Sequence, residues 1–239
     1  MASFKIPNKP NTIILLTFKV LLALFLVFIV TSFILVFYYR FFNPSSTPFM
    51  RFRMEQLGNK HIKIKWIPYE KIGKNIKLAV VTSEDSSFLN HKGFNFKAIE
   101  NAYYLNKKLG FNKYGASTIS QQVAKNLFLW NGKSWTRKVL EAYFTSLIEL
   151  NWSKKRILEV YLNIIEYGKG VFGIYNATNC YFEKNPSNVT PFEASLITAA
   201  LPSPLHYSLL KPSNELLQRS ARVRYLIRRY KGKYNLDSL

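Results

Sequence analysis

Gly115-Ala116-Ser117-Thr118-Ile119-Ser120-Gln121-Gln122-Val123-Ala124-Lys125-Asn126 is the stretch on which the reading of this chain turns. As a helix from Ser117, it places Ser117, Gln121 and Lys125 on one stripe and Ile119, Val123 and Leu127 on another, because residues four apart share a face. Hydroxyls, amides and a lysine at a helix N-terminus suit phosphate oxygens. Taken alone, the same pattern also fits an ordinary amphipathic surface helix.

The helical rhythm continues on both sides. Ile76 to Val81 leads into Glu84, and Lys97 to Leu109 repeats Ala98, Ile99, Ala102, Leu105 and Leu109 before Gly110 stops it. Ser117–Leu129, Trp135–Asn151 and Ser153–Asn163 read the same way. Thr190-Pro191-Phe192-Glu193 opens a further helix with an N-cap threonine, proline at the first helical position and glutamate three after the cap; Pro202 closes it. Strand-like alternation is confined to Lys60–Pro68, so the fold class is mainly α.

Toward the N-terminus, Val20–Tyr39 is twenty residues without a charge, the thickness of a bilayer core. Its length, the Tyr38-Tyr39 pair before Arg40 and the lack of a small-residue cleavage site favour a retained anchor over a signal peptide. Lysines precede the span and arginines follow it, so charge does not fix its orientation. Asn43-Pro44-Ser45-Ser46-Thr47-Pro48 has a linker's composition. The chain of 239 residues is 48% hydrophobic, enough for one packed domain beyond the anchor. Its net charge is +21; setting aside the four cations of the first forty residues leaves +17 on the rest, a surface that wants an anionic partner. Cys180 is the single cysteine, which excludes an internal disulfide or thiolate cluster, and its aromatic surroundings read as buried packing.

Two more clusters carry polar residues. Glu84-Asp85, after the apolar run Leu78–Val81, pairs carboxylates beside a hydrophobic wall able to raise a pKa; an acidic helix end is also often a cap or solvated turn. Arg137, Lys138 and Glu141 precede Phe144, Leu147 and Ile148. Arg137 and Glu141 sit four apart, so a surface ion pair accounts for them as well as a ligand does.

Together these segments resemble the peptidoglycan glycosyltransferase family, the lysozyme-like domain also found at the front of bifunctional penicillin-binding proteins. Glu84-Asp85 with Phe88, His91 and Gly93 is similar to its first motif, Gly115–Asn126 to its second and Arg137-Lys138 with Glu141 to its third. Lys154–Asn163 is similar to the fourth; Gly168, Gly170, Gly173, Ala177, Tyr181 and Phe182 to the fifth. The likeness runs from about Lys60 to Pro212. Ala116 stands where many members have glycine and Lys133 where arginine is usual, which keeps the charge and loses the two-pronged bonding to phosphate. Ser208-Leu209-Leu210-Lys211 matches the S-x-x-K pattern without its companion motifs, and the expectation is a single-domain member.

The resemblance implies a lysozyme-like glycosyltransferase domain preceded by one transmembrane helix: residues 1–19 cytoplasmic, 20–39 the anchor, 40–59 a linker, 60–225 the catalytic domain and 226–239 a basic tail. It implies inverting transfer from a polyprenyl-pyrophosphate-linked glycan to the sugar 4-hydroxyl of lipid II. Glu84 is then the base and Glu141 the second carboxylate. Lys125, Lys133, Arg137 and Lys138 neutralise the diphosphate, and Ser117, Gln121, Gln122 and Asn126 bond sugar or phosphate. His91 is read as a brace, and Tyr161 and Asn163 as packing and capping. No cofactor is required; a divalent cation, magnesium or manganese, would fall to Glu84, Asp85 or Glu141. The expected partners are lipid II, the bilayer and other cell-wall synthesis proteins, not nucleic acid, with the catalytic domain outside the cytoplasm of a bacterial inner membrane. Residues 101–114 either dip into headgroups or lay their apolar side on the core. The competing activities are a glycan-cleaving lysozyme-like enzyme, which needs no cationic cradle, and a non-catalytic cationic scaffold.

Overall fold

The structure, a computed structural model, describes residues 10–58, 64–111, 114–132, 134–236 and 239. It divides into two units, Met1–Phe42 and Asn43–Leu239. The first holds α1 (Pro10–Phe41), whose length of about 48 Å exceeds the hydrocarbon core of a bilayer. The uncharged run from Val20 lies inside it. Leu21, Phe25, Ile34 and Phe37 are exposed along its length, and it is the one helix among the described residues long and apolar enough to cross a membrane.

The second unit is mainly α-helical. Its helices are α2 (Pro48–Gln56), α3 (Lys74–Glu84), α4 (Phe96–Leu109), α5 (Ile119–Phe128), α6 (Trp135–Asn151), α7 (Lys154–Ile164), α8 (Ile174–Phe182), α9 (Pro191–Ala200) and α10 (Asn214–Tyr230). A small antiparallel hairpin, β1 (Glu166–Gly168) and β2 (Val171–Phe172), follows α7. Helix α9 packs on α3 and α10, while α5 packs on α6, α7 and α2. Burying Ile119, Val123 and Leu127 of α5 stabilises this centre by roughly 1.5–3 kcal/mol for each side chain.

Local chemistry sets the helix ends. Ser134, Ser153 and Ser213 cap α6, α7 and α10, each hydroxyl accepting from a backbone N–H three residues on. The expected capping box of α9 is present, with Thr190 and Glu193 bonded reciprocally. Gly110 ends α4 in the left-handed conformation.

Several expectations change. The tract read as a linker contains α2: Thr47 caps it, Pro48 starts it and Met50 and Met54 are buried. The basic tail from 226 begins inside α10, and Ile227 and Leu236 are buried. Of the strand-like run, residues 60–63 lie outside the described residues and Ile64–Pro68 is not in a sheet. There Ile67 donates its N–H to Asn163 Oδ1 and accepts from Asn163 Nδ2, both at 2.9 Å, so a side-chain amide stands in for a neighbouring strand. Cys180 is exposed, not buried, because α8 turns Ile174, Ala177 and Thr178 inward and position 180 falls outside that face. Helix α4 buries none of its residues, which removes the core-facing alternative for its apolar side.

Candidate active site

Helix α3 ends at Glu84, and Asp85 caps it, so two adjacent carboxylates leave the helix in different directions. Asp85 is buried. Its Oδ2 accepts the first N–H of α5, from Ile119, at 3.1 Å and the Nε2–H of His91 at 2.9 Å. The Gly93 N–H fixes that tautomer by donating to His91 Nδ1 at 3.0 Å. Asp85 thus meets the positive end of α5, and His91 braces the turn as expected.

Glu84 does different work. Its Oε2 accepts from Gln122 Nε2 at 3.0 Å, and Gln122 Oε1 accepts from the Tyr161 hydroxyl at 3.2 Å. Protein encloses Glu84 on most sides while leaving part of it accessible. That burial pushes its pKa above the ordinary carboxylate value, and the Asp85 charge adds to the rise. The Gln122 hydrogen bond and the charges of Arg219 and Lys125 oppose it.

One turn beyond Gln122 on α5 stands Lys125, whose pKa is pushed down by burial and by Arg137 and Lys138, and held up by Glu141 and Glu84. Gln122, Lys125, Asn126 and Tyr161 line one side of an open cleft of about 430 Å³. Phe49, Arg53, Ile165, Glu166 and the segment Leu201–His206 line the rest. Arg53 pairs with Glu166 at 3.1 Å, and Glu166 also accepts from the Gly170 N–H at 3.0 Å.

Behind Lys125 lies Glu141, a buried carboxylate between two cations. Arg137 donates to its Oε2 at 3.0 Å and Lys138 bonds Oε1. Arg137 Nε also donates to the Gly132 carbonyl at 2.6 Å. Arg137 and Lys138 do not line the cleft; their fields reach it through Lys125.

A second network ties these pieces together. Lys154 donates to the His91 carbonyl at 2.7 Å and to Glu149 at 2.8 Å, and Glu149 accepts from Ser120. The Thr118 hydroxyl donates to the Gly93 carbonyl at 2.7 Å. The turn after α3 is therefore fastened to α5, α6 and α7.

Of the expected site residues, Glu84, Gln122, Lys125 and Asn126 come together, and Glu141, Arg137 and Lys138 form the adjoining cluster. Ser117 does not fall on the expected stripe, and Gln121, though four residues before Lys125 on α5, spends its side chain on the helix cap. The helix starts at Ile119, so Ser117 lies ahead of it and is exposed. Gln121 is buried, and its Oε1 accepts from the Thr118 N–H at 3.0 Å in a capping box. The threonine–glutamine spacing carried that signal. Lys133 lies outside the described residues. Tyr161, read as packing, is fully buried yet its hydroxyl orients Gln122. Arg53 and Arg219 went unread because nothing local marks a cation whose target arrives from another element.

Among the described residues no group of three or more His, Cys, Asp or Glu side chains is placed to hold a metal ion. Asp85 is engaged by Ile119 and His91, and Glu141 by Arg137 and Lys138, so the three candidate carboxylates do not converge as a chelate.

A buried glutamate of raised pKa, set on a helical frame near a cleft lined by Lys125 and Arg53, fits a glycosyl-transferring enzyme. The sequence profile of the family described as Transglycosylase matches residues 52–228, and the chain belongs to that family. It is similar to the biosynthetic peptidoglycan transglycosylase of Bdellovibrio bacteriovorus, 46% identical over 202 residues that cover 83% of this chain and 80% of that one. The protein of the same name from Caulobacter vibrioides is 43% identical over 206 residues, covering 86% and 88%. That from Haemophilus influenzae is 53% identical over 152 residues, covering 64% and 62%. The family and the apolar α1 together indicate a membrane-anchored enzyme.

Proposed function

We propose that this enzyme polymerises lipid II, with Glu84 taking the proton from the incoming sugar 4-hydroxyl and Lys125 holding the departing diphosphate. The observation that carries the reading is Gln122, whose amide bonds Glu84 and which stands one turn before Lys125 on α5, both lining the cleft.

Inverting displacement needs two things at once: a base on the nucleophile and charge stabilisation on the leaving group. Glu84 has the first property because burial keeps its proton affinity high, and Tyr161 and Gln122 fix the carboxylate's direction. A diphosphate leaves without protonation once its charge is met, and Lys125, with Arg137 and Lys138 near it, supplies that positive field. Glu141 offsets the repulsion that Arg137 and Lys138 exert on Lys125. Asn126, Ser117 and Gln122 are the proposed hydrogen-bonding groups for sugar and phosphate oxygens.

The substrate's lipid tail stays in the bilayer, which fits the anchor. Phe96, Tyr103, Tyr104 and Phe111 are all more than half exposed, and α4 has Lys107 and Lys108 in its last turn, a composition suited to headgroups. The orientation that follows has the N-terminus in the cytoplasm and the catalytic unit on the outer face of a bacterial inner membrane.

Incubating the full chain with lipid II and separating the products by size tests this. Wild type should yield long glycan and Glu84→Gln none, with lipid II binding retained. Polymer from the variant, or only shortened fragments from wild type acting on preformed glycan, would overturn the assignment.

A further inference from the structure

A second cavity, of about 590 Å³, lies between α3, α10 and the C-terminal segment 231–236, and shares no lining residue with the catalytic cleft. Its volume is in the range of roughly 300–1,000 Å³ that accepts a small molecule. Leu78, Ile227 and Leu236 give it an apolar lining. Lys74, Arg224, Arg228 and Lys231 also line it, and among the described residues no acidic one does.

None of the four cations has a carboxylate partner among the described residues. Arg224 is held in place by neutral groups instead, donating to Ser220 Oγ at 2.7 Å and Ser195 Oγ at 3.2 Å. The segment over the cavity is fastened at two points: the Tyr69 hydroxyl donates to the Leu236 carbonyl at 2.5 Å, and the Tyr234 hydroxyl to the Ser86 carbonyl. Four like charges around an apolar hollow repel one another, and an occupant carrying a compact anion and a chain would satisfy both surfaces.

We propose that this cavity binds a single-chain anionic amphiphile, its alkyl chain against Leu78, Ile227 and Leu236 and its phosphate among Lys74, Arg224, Arg228 and Lys231. An acidic protein segment would answer the charge, but a concave hollow of this volume suits a small molecule better than a docking face. A membrane-anchored enzyme also meets lipid-derived amphiphiles at high local concentration. Lys74 and Leu78 lie on the same helix as Glu84, and Ser86 is two residues beyond that glutamate, so the occupant would sit against elements that also carry the catalytic turn.

The test uses the full chain in phosphatidylcholine nanodiscs, a diazirine-bearing dodecyl phosphate as probe and peptide mapping of the cross-links. Labelling should fall on peptides containing Leu78, Ile227 or Leu236 and be suppressed by unlabelled dodecyl phosphate. It should drop by about tenfold in the Lys74→Glu/Arg228→Glu double variant, both positions being exposed and the variant's thermal melt matching wild type. Equal labelling by a neutral diazirine dodecyl glycoside, or labelling unchanged in the double variant, would sink the idea. Suppression by inorganic phosphate alone would make the site an anion pocket with no use for a chain. Suppression by a glutamate- and leucine-rich peptide but not by dodecyl phosphate would assign the surface to a protein partner; either result overturns the amphiphile.

Discussion

Gln122 Nε2 donates to Glu84 Oε2 at 3.0 Å, and the direction of that bond is set from behind by Tyr161. Because the donor favours the anion, it restrains a pKa that burial raises. Gln122→Leu should therefore move the acidic limb of the kcat/KM profile to higher pH. Tyr161→Phe should move it the same way by less, since the freed amide can turn its oxygen toward the carboxylate, with a rate loss of about 2–10-fold for one buried hydrogen bond. Initial rates of lipid II consumption across pH measure both, and a limb that stays in place would show that the chain does not tune the base.

The raised pKa of Glu84 also has a sign in stability. A carboxyl that binds its proton more tightly when folded contributes stability below the ordinary carboxylate range and loses that contribution as pH rises through the folded value. Glu84→Gln should consequently melt higher than wild type at neutral pH, with the gap closing in acid. A shift of about 2–4 °C corresponds to roughly 1 kcal/mol for a unit of this size. Scanning calorimetry at pH 7 and pH 4 reads it.

Lys125 has the opposite displacement: burial lowers its pKa, so its positive charge is lost at lower pH than an ordinary lysine's. Lys125→Arg holds its charge through that range. The alkaline limb of kcat/KM should move upward in the arginine variant even if its plateau falls, whereas Lys125→Met should lower activity at every pH.

Gly93 has φ of +92°, and a methyl group there would stand 2.8 Å from the Thr145 Cγ2 and 3.1 Å from the Glu149 Cγ. Gly93→Ala should destabilise the catalytic unit by about 1–3 kcal/mol. It should also loosen the His91–Asp85 brace, lowering activity before the protein unfolds. Urea unfolding followed beside activity checks the order of the two losses.

Much of this architecture could be read from residues alone where the signal was local. The Thr190 cap placed α9, and apolar periodicity predicted α3 to α7, of which α3, α5, α6 and α7 bury one face and α4 buries none. Glu84 and Lys125 stood out by residue type and context, and in the structure Gln122, one turn before Lys125 on α5, bonds Glu84. What escaped was non-local. Thr47-Pro48 looks like a linker until Met50 and Met54 find the core, and Tyr161 looks like packing until its hydroxyl meets an amide 39 residues earlier in the chain. Gln121 misled for a different reason: an amide three residues after a threonine serves a helix end as well as it serves a sugar. The opposite wall of the cleft, Leu201–His206, carries no motif at all.

Asp85 accepts the first amide of α5, and this bond ties the proposed proton acceptor, Glu84, to the helix that carries the proposed diphosphate grip, Lys125. Gln122 and Lys125 are three positions apart on that helix, about 4.5 Å of axial travel. The reach between bond making and bond breaking is thus gauged by the pitch of an α-helix, a ruler that point substitutions in the surrounding rim leave unaltered and that a one-residue insertion after Gln122 would throw out of phase.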